Sequence, residues 1–170
     1  MKIDLVKLLA NAQKGGWGLR KLNFIMGRGI PFNKPHGIVV HKVEDDTITT
    51  KIPYKKRNLN HIKGVHACGL ATVGEFCSGL NLLRKVEARK YRLIMQHLEV
   101  EYFYQARKTA YARHTLSDQK VKSEILEKLN AEGVCYYTCK IEIHDEDQNH
   151  LCNVFTKWQI KEWSKVKTKV

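Results

Sequence analysis

In the stretch Gly64–Leu83 the only acidic or basic side chain, histidine aside, is Glu75. A carboxylate among apolar neighbours is costly unless it is paired or put to use. Desolvation raises its pKa, which suits a general base or a nucleophile. The structural alternative is a glutamate at a dimer seam, paired with a lysine or capping a backbone group. Asn60 and His66 lie just upstream. From His66 to Glu75 is nine residues. On a helix that is about 13 Å along the axis and about two and a half turns, so the two side chains point in opposite directions. They are expected to share a site only across a two-fold axis, which would make two equivalent composite sites in a homodimer. Free backbone N–H groups at the helix start, over Val65–Cys68, would stabilise a developing oxyanion. Gly64 allows close backbone approach. The bland readings are a capping or core histidine for His66 and a turn residue for Asn60.

The elements that would position these groups follow from hydrophobic patterning. The apolar residues of Val65–Leu83 (Val65, Leu70, Val73, Phe76, Leu80, Leu83) cover every face of a helix, which marks a buried one. Gly69, Gly74, Ser78 and Gly79 lower its propensity but allow strands to approach. Ile3–Met26 reads as one or two helices broken at Gly15-Gly16, and Gly27–Gly37 as loop. Gly37–Val43 and Thr47–Ile52 form a hairpin about Glu44-Asp45-Asp46. Arg92–Phe103 and Lys108–Leu116 are strand-like. Asp118–Ala131 is a helix opened by Asp118 or Ser117 and stopped at Gly133. Val134–His144 and Leu151–Trp163 are strands around a turn at Asp145–Asn149. This order predicts an α+β domain, an antiparallel sheet wrapped around a long central helix, with an additional N-terminal helix. Strands in consecutive pairs fit a doubly wound fold less well. The division expected is an N-terminal helical segment, 1–31, and a main domain, 32–170, within one unit.

The 170 residues are 43% hydrophobic, enough for a core. The apolar runs are too short for a membrane span or a signal peptide, so a cytoplasmic location is expected. The five cysteines (Cys68, Cys77, Cys135, Cys139, Cys152) are odd in number and lack a CxxC pair. They read as small buried hydrophobes, with no metal site. The net charge of +13 points to anionic partners. The cations are dispersed and no nucleic-acid-binding motif appears, so nucleic acid is not the expected partner. The lysine-rich tail, Lys157–Val170, reads as an edge strand followed by a solvated end.

The run RNLNHIKGVHACGLATVGEFCSG (Arg57–Gly79) resembles the asparagine, histidine and helix-acid signature of hot-dog thioesterases of the phenylacetate-pathway and 4-hydroxybenzoyl-CoA types. Within that superfamily it looks closest to the DUF4442 group. The run EYFYQARKTAYARHT (Glu101–Thr115) resembles the strand that follows the family's helix, with Gln105-Ala106 where proline-alanine is usual. The resemblance covers roughly Phe32–Trp163. It implies a hot-dog fold, an acyl-CoA substrate and a homodimer, or a dimer of dimers, with no cofactor beyond the coenzyme A of the substrate. Glu75 would be the base or nucleophile. The Ala67 N–H would polarise the thioester carbonyl, Asn60 would position water or carbonyl, and His66 would support the helix start. Lys56, Arg57, Arg84, Arg107 and Lys108 would lie at the mouth and meet the phosphates of coenzyme A. The sequence departs from the family at His66-Ala67-Cys68 for His-Gly-Gly, at Lys63 for a glycine, and at Gly79 for a hydroxyl. The first two favour the alternative of a non-catalytic module that binds acyl-CoA or lipid.

Overall fold

The computed structural model describes residues 4–166 of the chain. Asp4 opens α1 (Leu5–Gln13) by accepting the Lys7 N–H, and Leu8, Leu9 and Ala12 turn inward. Gly15 (φ +74°) and Gly16 (φ +53°) then make the break that the paired glycines announce. The second helix, α2 (Gly16–Gly29), runs three residues past Met26 into the stretch expected to be loop. Exposed glycines weaken a helix without forbidding it. Pro31 stops this one, because the residue before a proline leaves the helical region. A single turn, α3 (Asn33–His36), follows and closes on Gly37.

The strands are β1 (Val39–Val43), β2 (Thr47–Ile52), β3 (Tyr91–Tyr102), β4 (Ala110–Thr115), β5 (Val134–Asp145) and β6 (His150–Glu162). They form one antiparallel sheet in the order β1-β2-β4-β5-β6-β3. The tail reading needs correction. β6 is interior, paired with β5 on one side and β3 on the other. The edges are β1 and β3. Strict alternation explains it: Lys157 faces solvent while Thr156, Trp158 and Ile160 face the core, so the lysines need no edge. The tail's final four residues, like Ile3, lie outside the described part. Between β4 and β5 come α5 (Asp118–Lys120), capped by Ser117, a π-helical turn at Val121–Leu126, and α6 (Glu127–Glu132), ended by Gly133.

The sheet curls around α4 (Ala67–Lys85). What makes the wrap possible is the absence of side chains at two positions. A Cβ on Gly74 would stand 2.8 Å from Val154 Cγ2, and one on Gly79 would stand 2.9 Å from the Trp158 ring. The same helix face is pinned by Ser78 Oγ against Thr156 Oγ1 (2.9 Å), with the Trp158 indole N–H donating to Thr156 Oγ1 (2.9 Å). The buried core joins α4 to the inner face of the sheet, and Leu8, Leu9, Ala12 and Leu22 of α1 and α2 belong to the same cluster. A long central helix gripped by a curved antiparallel sheet is the hot-dog arrangement. Four of the cysteines are buried as expected; Cys68 is exposed, because it falls on the open first turn of α4.

Two outcomes follow from this packing. Gly74→Val overpacks the α4–β6 seam and lowers unfolding stability by about 1–3 kcal/mol in urea denaturation. His114 on β4 is 4% exposed, beside Asn81 of α4. Burial, with Lys120 nearby, pushes its pKa from 6.5 to about 4. The unfolded chain binds that proton more readily, so the stability is whole above pH 6.5 and is lost as pH falls toward 4. Wild type loses roughly 3 kcal/mol across that window from this residue alone, and His114→Gln flattens the curve measured by pH-dependent unfolding.

Candidate functional site

The residues before α4 are tied down one by one. The Asn60 Oδ1 accepts the N–H groups of Ile62 (3.1 Å) and Gly64 (2.9 Å), and the Asn60 N–H donates to the Gly64 carbonyl (2.8 Å). Asn60 thus folds the 60–64 turn with its oxygen, while its amide nitrogen is uncommitted among the described residues. Lys63 takes the left-handed conformation at φ +61°. The Tyr54 hydroxyl donates to its carbonyl (2.7 Å). Gly64 serves a close approach: a Cβ there would stand 3.0 Å from Gln105 Cγ. The Val65 N–H donates to the Ala106 carbonyl and the His66 N–H to the Asn58 carbonyl, each at 2.8 Å. Asn58 is buried, and its amide donates to the carbonyls of His36 and Pro53.

This scaffold delivers His66 as the N-cap of α4. Its ring Nδ1 accepts the Cys68 N–H at 3.1 Å, and its carbonyl accepts from Gly69 and Leu70. A neutral ring that accepts at Nδ1 carries its proton on Nε2. The expectation of several free N–H groups over Val65–Cys68 is therefore corrected. Val65, His66 and Cys68 are committed, and Ala67 alone keeps an unpartnered N–H among the described residues. The Ala67 carbonyl accepts the Tyr102 hydroxyl at 3.0 Å.

Two recesses lie at this end of α4, and Ala67 lines the first of them. On one side a cleft of about 290 Å³ is lined by Asn60, Val65, Ala67, Leu70 and Tyr102–Ala106. Beyond Tyr104 and Gln105 it leads to Arg107 and Lys108. On the other side a largely apolar cavity of about 260 Å³ lies between Phe32–Ile38, Ile52, Leu59 and the α4 residues Cys68, Gly69 and Thr72, with His66 and Arg57 at its rim. From Ala67 to Glu75 the first turns of α4 are not fully covered: Ala67, Cys68, Ala71, Thr72 and Glu75 stay partly open. Glu75 is half-buried, and its carboxylate has no hydrogen-bond or ion-pair partner among the described residues. Burial pushes its pKa above the ordinary glutamate value.

The fold brings Asn60, Gly64, His66 and Ala67 together at one end of α4. Glu75 lies about 12 Å further along the axis. Lys56 is exposed and has no partner among the described residues, and Arg57 donates to the Pro35 carbonyl at 2.9 Å. Arg107 bonds Gln105 through Nε at 3.0 Å, leaving its terminal nitrogens free among the described residues, whereas Lys108 is paired with Asp147. Arg84 does not reach the mouth of its own chain's site. It sits in the last turn of α4 and holds the Glu44 and Asp45 carbonyls of the β1–β2 turn. Sequence reasoning missed Asn58 and Tyr102. Nothing marks Asn58 apart from its neighbour, but the aromatic run Tyr102-Phe103-Tyr104 does mark the other. Among the described residues no three His, Cys, Asp or Glu side chains converge as a metal site would need.

Solved structures share this arrangement. A Pseudomonas aeruginosa protein of unknown function, described as a probable thioesterase, matches with a TM-score of 0.77 at 16% identity, over 84% of this chain and 95% of that one. A Haemophilus influenzae thioesterase gives 0.69 at 14% identity, over 88% and 94%. A second thioesterase from Pseudomonas aeruginosa, solved as a mutant, gives 0.63 at 13% identity, over 95% and 96%. At these identities the likeness is one of fold, and it sets the chain among proteins of hot-dog architecture. Residues 18–160 match the model of a domain of unknown function, DUF4442, and the chain belongs to that family. No curated protein matches it in sequence.

The strained position in the site loop gives a direct test. A side chain at left-handed φ costs about 1–2 kcal/mol, part of which glycine returns as unfolded-state entropy. Lys63→Gly therefore holds or raises the urea midpoint, and Lys63→Val, β-branched, lowers it.

Proposed function

We propose that the protein is a thioester hydrolase acting on acyl-CoA at a composite site between two copies of the chain. One observation carries the reading: among the described residues the pre-helix loop leaves a single N–H free, at Ala67, and the open face of the same helix carries a half-buried carboxylate, Glu75, with no partner. The two are too far apart along α4 to meet one thioester within a chain. A two-fold partner brings the second Glu75 to the first Ala67. The edge strand β3 suits that pairing, being long and carrying exposed Ile94, Leu98 and Tyr102.

In this reading the thioester carbonyl oxygen lies on the Ala67 N–H, with the Asn60 amide beside it. The acyl group occupies the apolar cavity, and the pantetheine follows the cleft toward Arg107. The Glu75 carboxylate of the partner copy takes a proton from water as the water oxygen attacks the carbonyl carbon, or attacks that carbon itself to form an acyl–glutamyl anhydride that water hydrolyses once the thiolate has left. The C–S bond then breaks, the thiolate gains a proton, and a carboxylic acid leaves. Both routes need Glu75 ionised. Because burial raises its pKa, kcat/KM climbs with pH through an inflection above 4.5, the ordinary glutamate value.

Thiol release from short, long and aromatic acyl-CoAs tests the reading. Glu75→Gln loses about 10²–10⁴ in kcat and its acid limb. Ala67→Pro removes only the N–H. Its position is the first of the helix, where proline fits, and His66 before it already has an extended ψ of 138°. It loses about 10²–10³ in kcat with unchanged thermal stability. Mixed dimers of the two variants hold one intact site, so co-expression restores roughly a quarter of wild-type turnover. Saturable acyl-CoA binding without any thiol release would instead make the protein a non-catalytic binding module.

A further inference from the structure

From Leu5 to Val43 the chain carries Lys7, Lys14, Arg20, Lys21, Arg28, Lys34 and Lys42 and not one carboxylate. The site described above uses none of them. Three of these cations stand on the outer face of α2, interleaved with aromatic rings. Trp17 is 82% exposed and Phe24 63%. Positions 17, 20, 21, 24 and 28 recur at helical spacing, so they form one ridge. The opposite face of α2 is spent on the core through Leu22, with Leu19, Ile25 and Met26 packed beside it. The Arg20 guanidinium lies 5.5 Å from the Trp17 ring centroid and that of Arg28 lies 3.9 Å from the Phe24 centroid. Just past the helix, Phe32 is 62% exposed and lines the apolar cavity that runs in to Thr72.

We propose that the outer face of α2, continued by Phe32, docks on an anionic lipid surface. A tryptophan and a phenylalanine left largely exposed to water are unfavourable unless something covers them. Single rings set between guanidinium groups on a convex ridge suit a deformable interface. Each ring sinks to the depth of the glycerol backbone, and each cation meets a phosphate. The absence of carboxylates from the whole segment removes the repulsion that would oppose a negative surface. The cavity behind Phe32 has apolar walls, so its mouth beside the docked face admits an acyl chain and not a nucleotide. The β3 edge lies at the other side of the sheet, so dimerisation there leaves α2 uncovered. This docking stands independently of the hydrolysis proposed above.

The test uses the full chain and vesicles of phosphatidylcholine alone or mixed equally with phosphatidylglycerol, read by co-sedimentation. The protein is expected on the anionic vesicles and not the neutral ones, with binding weakened between about 0.1 M and about 1 M salt. Trp17→Ala/Phe24→Ala and Arg20→Glu/Arg28→Glu each weaken binding about tenfold or more. All four positions are solvent-facing, so thermal unfolding serves as a control and stays at the wild-type midpoint. No binding to either vesicle, or binding indifferent to both double variants, overturns the proposal. Binding to duplex DNA or to an acidic protein through these residues, with none to vesicles, also overturns it and assigns the ridge to that partner.

Discussion

The closeness of α4 to β6 is the constraint on which the rest of the molecule depends. A sheet can wrap a helix only if backbone comes near backbone, and side chains on both surfaces forbid it. Gly74 and Gly79 remove the obstacle on the helix, and Val154 and Trp158 fill the space from the strand. Once seated, the helix is locked by hydroxyls: Ser78 and Thr156 satisfy each other and receive the indole N–H of Trp158. Polar atoms so deep in a core would be a penalty if left single. Here they fix the depth and rotation of the helix, and so the direction in which its first turn faces.

That first turn owes its geometry to residues far away in sequence. Ala106 and Asn58 accept the N–H groups of Val65 and His66, Gln105 lies against Gly64, and Tyr102 holds the Ala67 carbonyl. A helix start has several N–H groups without helical partners. Ala106 and Asn58 take two of those near α4, and His66 takes those of Cys68 and Gly69. What is left among the described residues is one donor, at the end of α4 where an open cleft and a largely apolar cavity lie. A single preorganised donor costs little reorganisation when charge develops beside it. Glu75 is the complementary feature, the one carboxylate of α4, with no partner among the described residues, on the face where the sheet does not close.

The surfaces left open divide the molecule in two. The β3 edge carries the exposed Ile94, Leu98 and Tyr102. The α2 ridge at the β1 side is cationic and aromatic. The net charge of +13, which reads as dispersed along the chain, is in space partly gathered on one helix.

Local rules were enough for much of this. Hydrophobic period marked α4 and the paired strands, Gly15-Gly16 broke the first helices, and Gly133 ended the last. The isolation of Glu75 among apolar residues, and the signature spaced through Asn60 and His66, marked the candidate residues. These are properties of neighbours along the chain, so the sequence carries them directly. Which strand is an edge is not such a property: β6 looks like a tail and lies inside the sheet because β3 folds back against it. Nor is the count of free N–H groups at α4, which depends on Asn58 and Ala106 arriving from elsewhere. Arg84 and Lys108 read alike as cations near a mouth, yet one caps a distant turn and the other is neutralised by Asp147. Hydrogen bonds and ion pairs act over a few ångströms of space, and only the folded chain decides which groups come within that range.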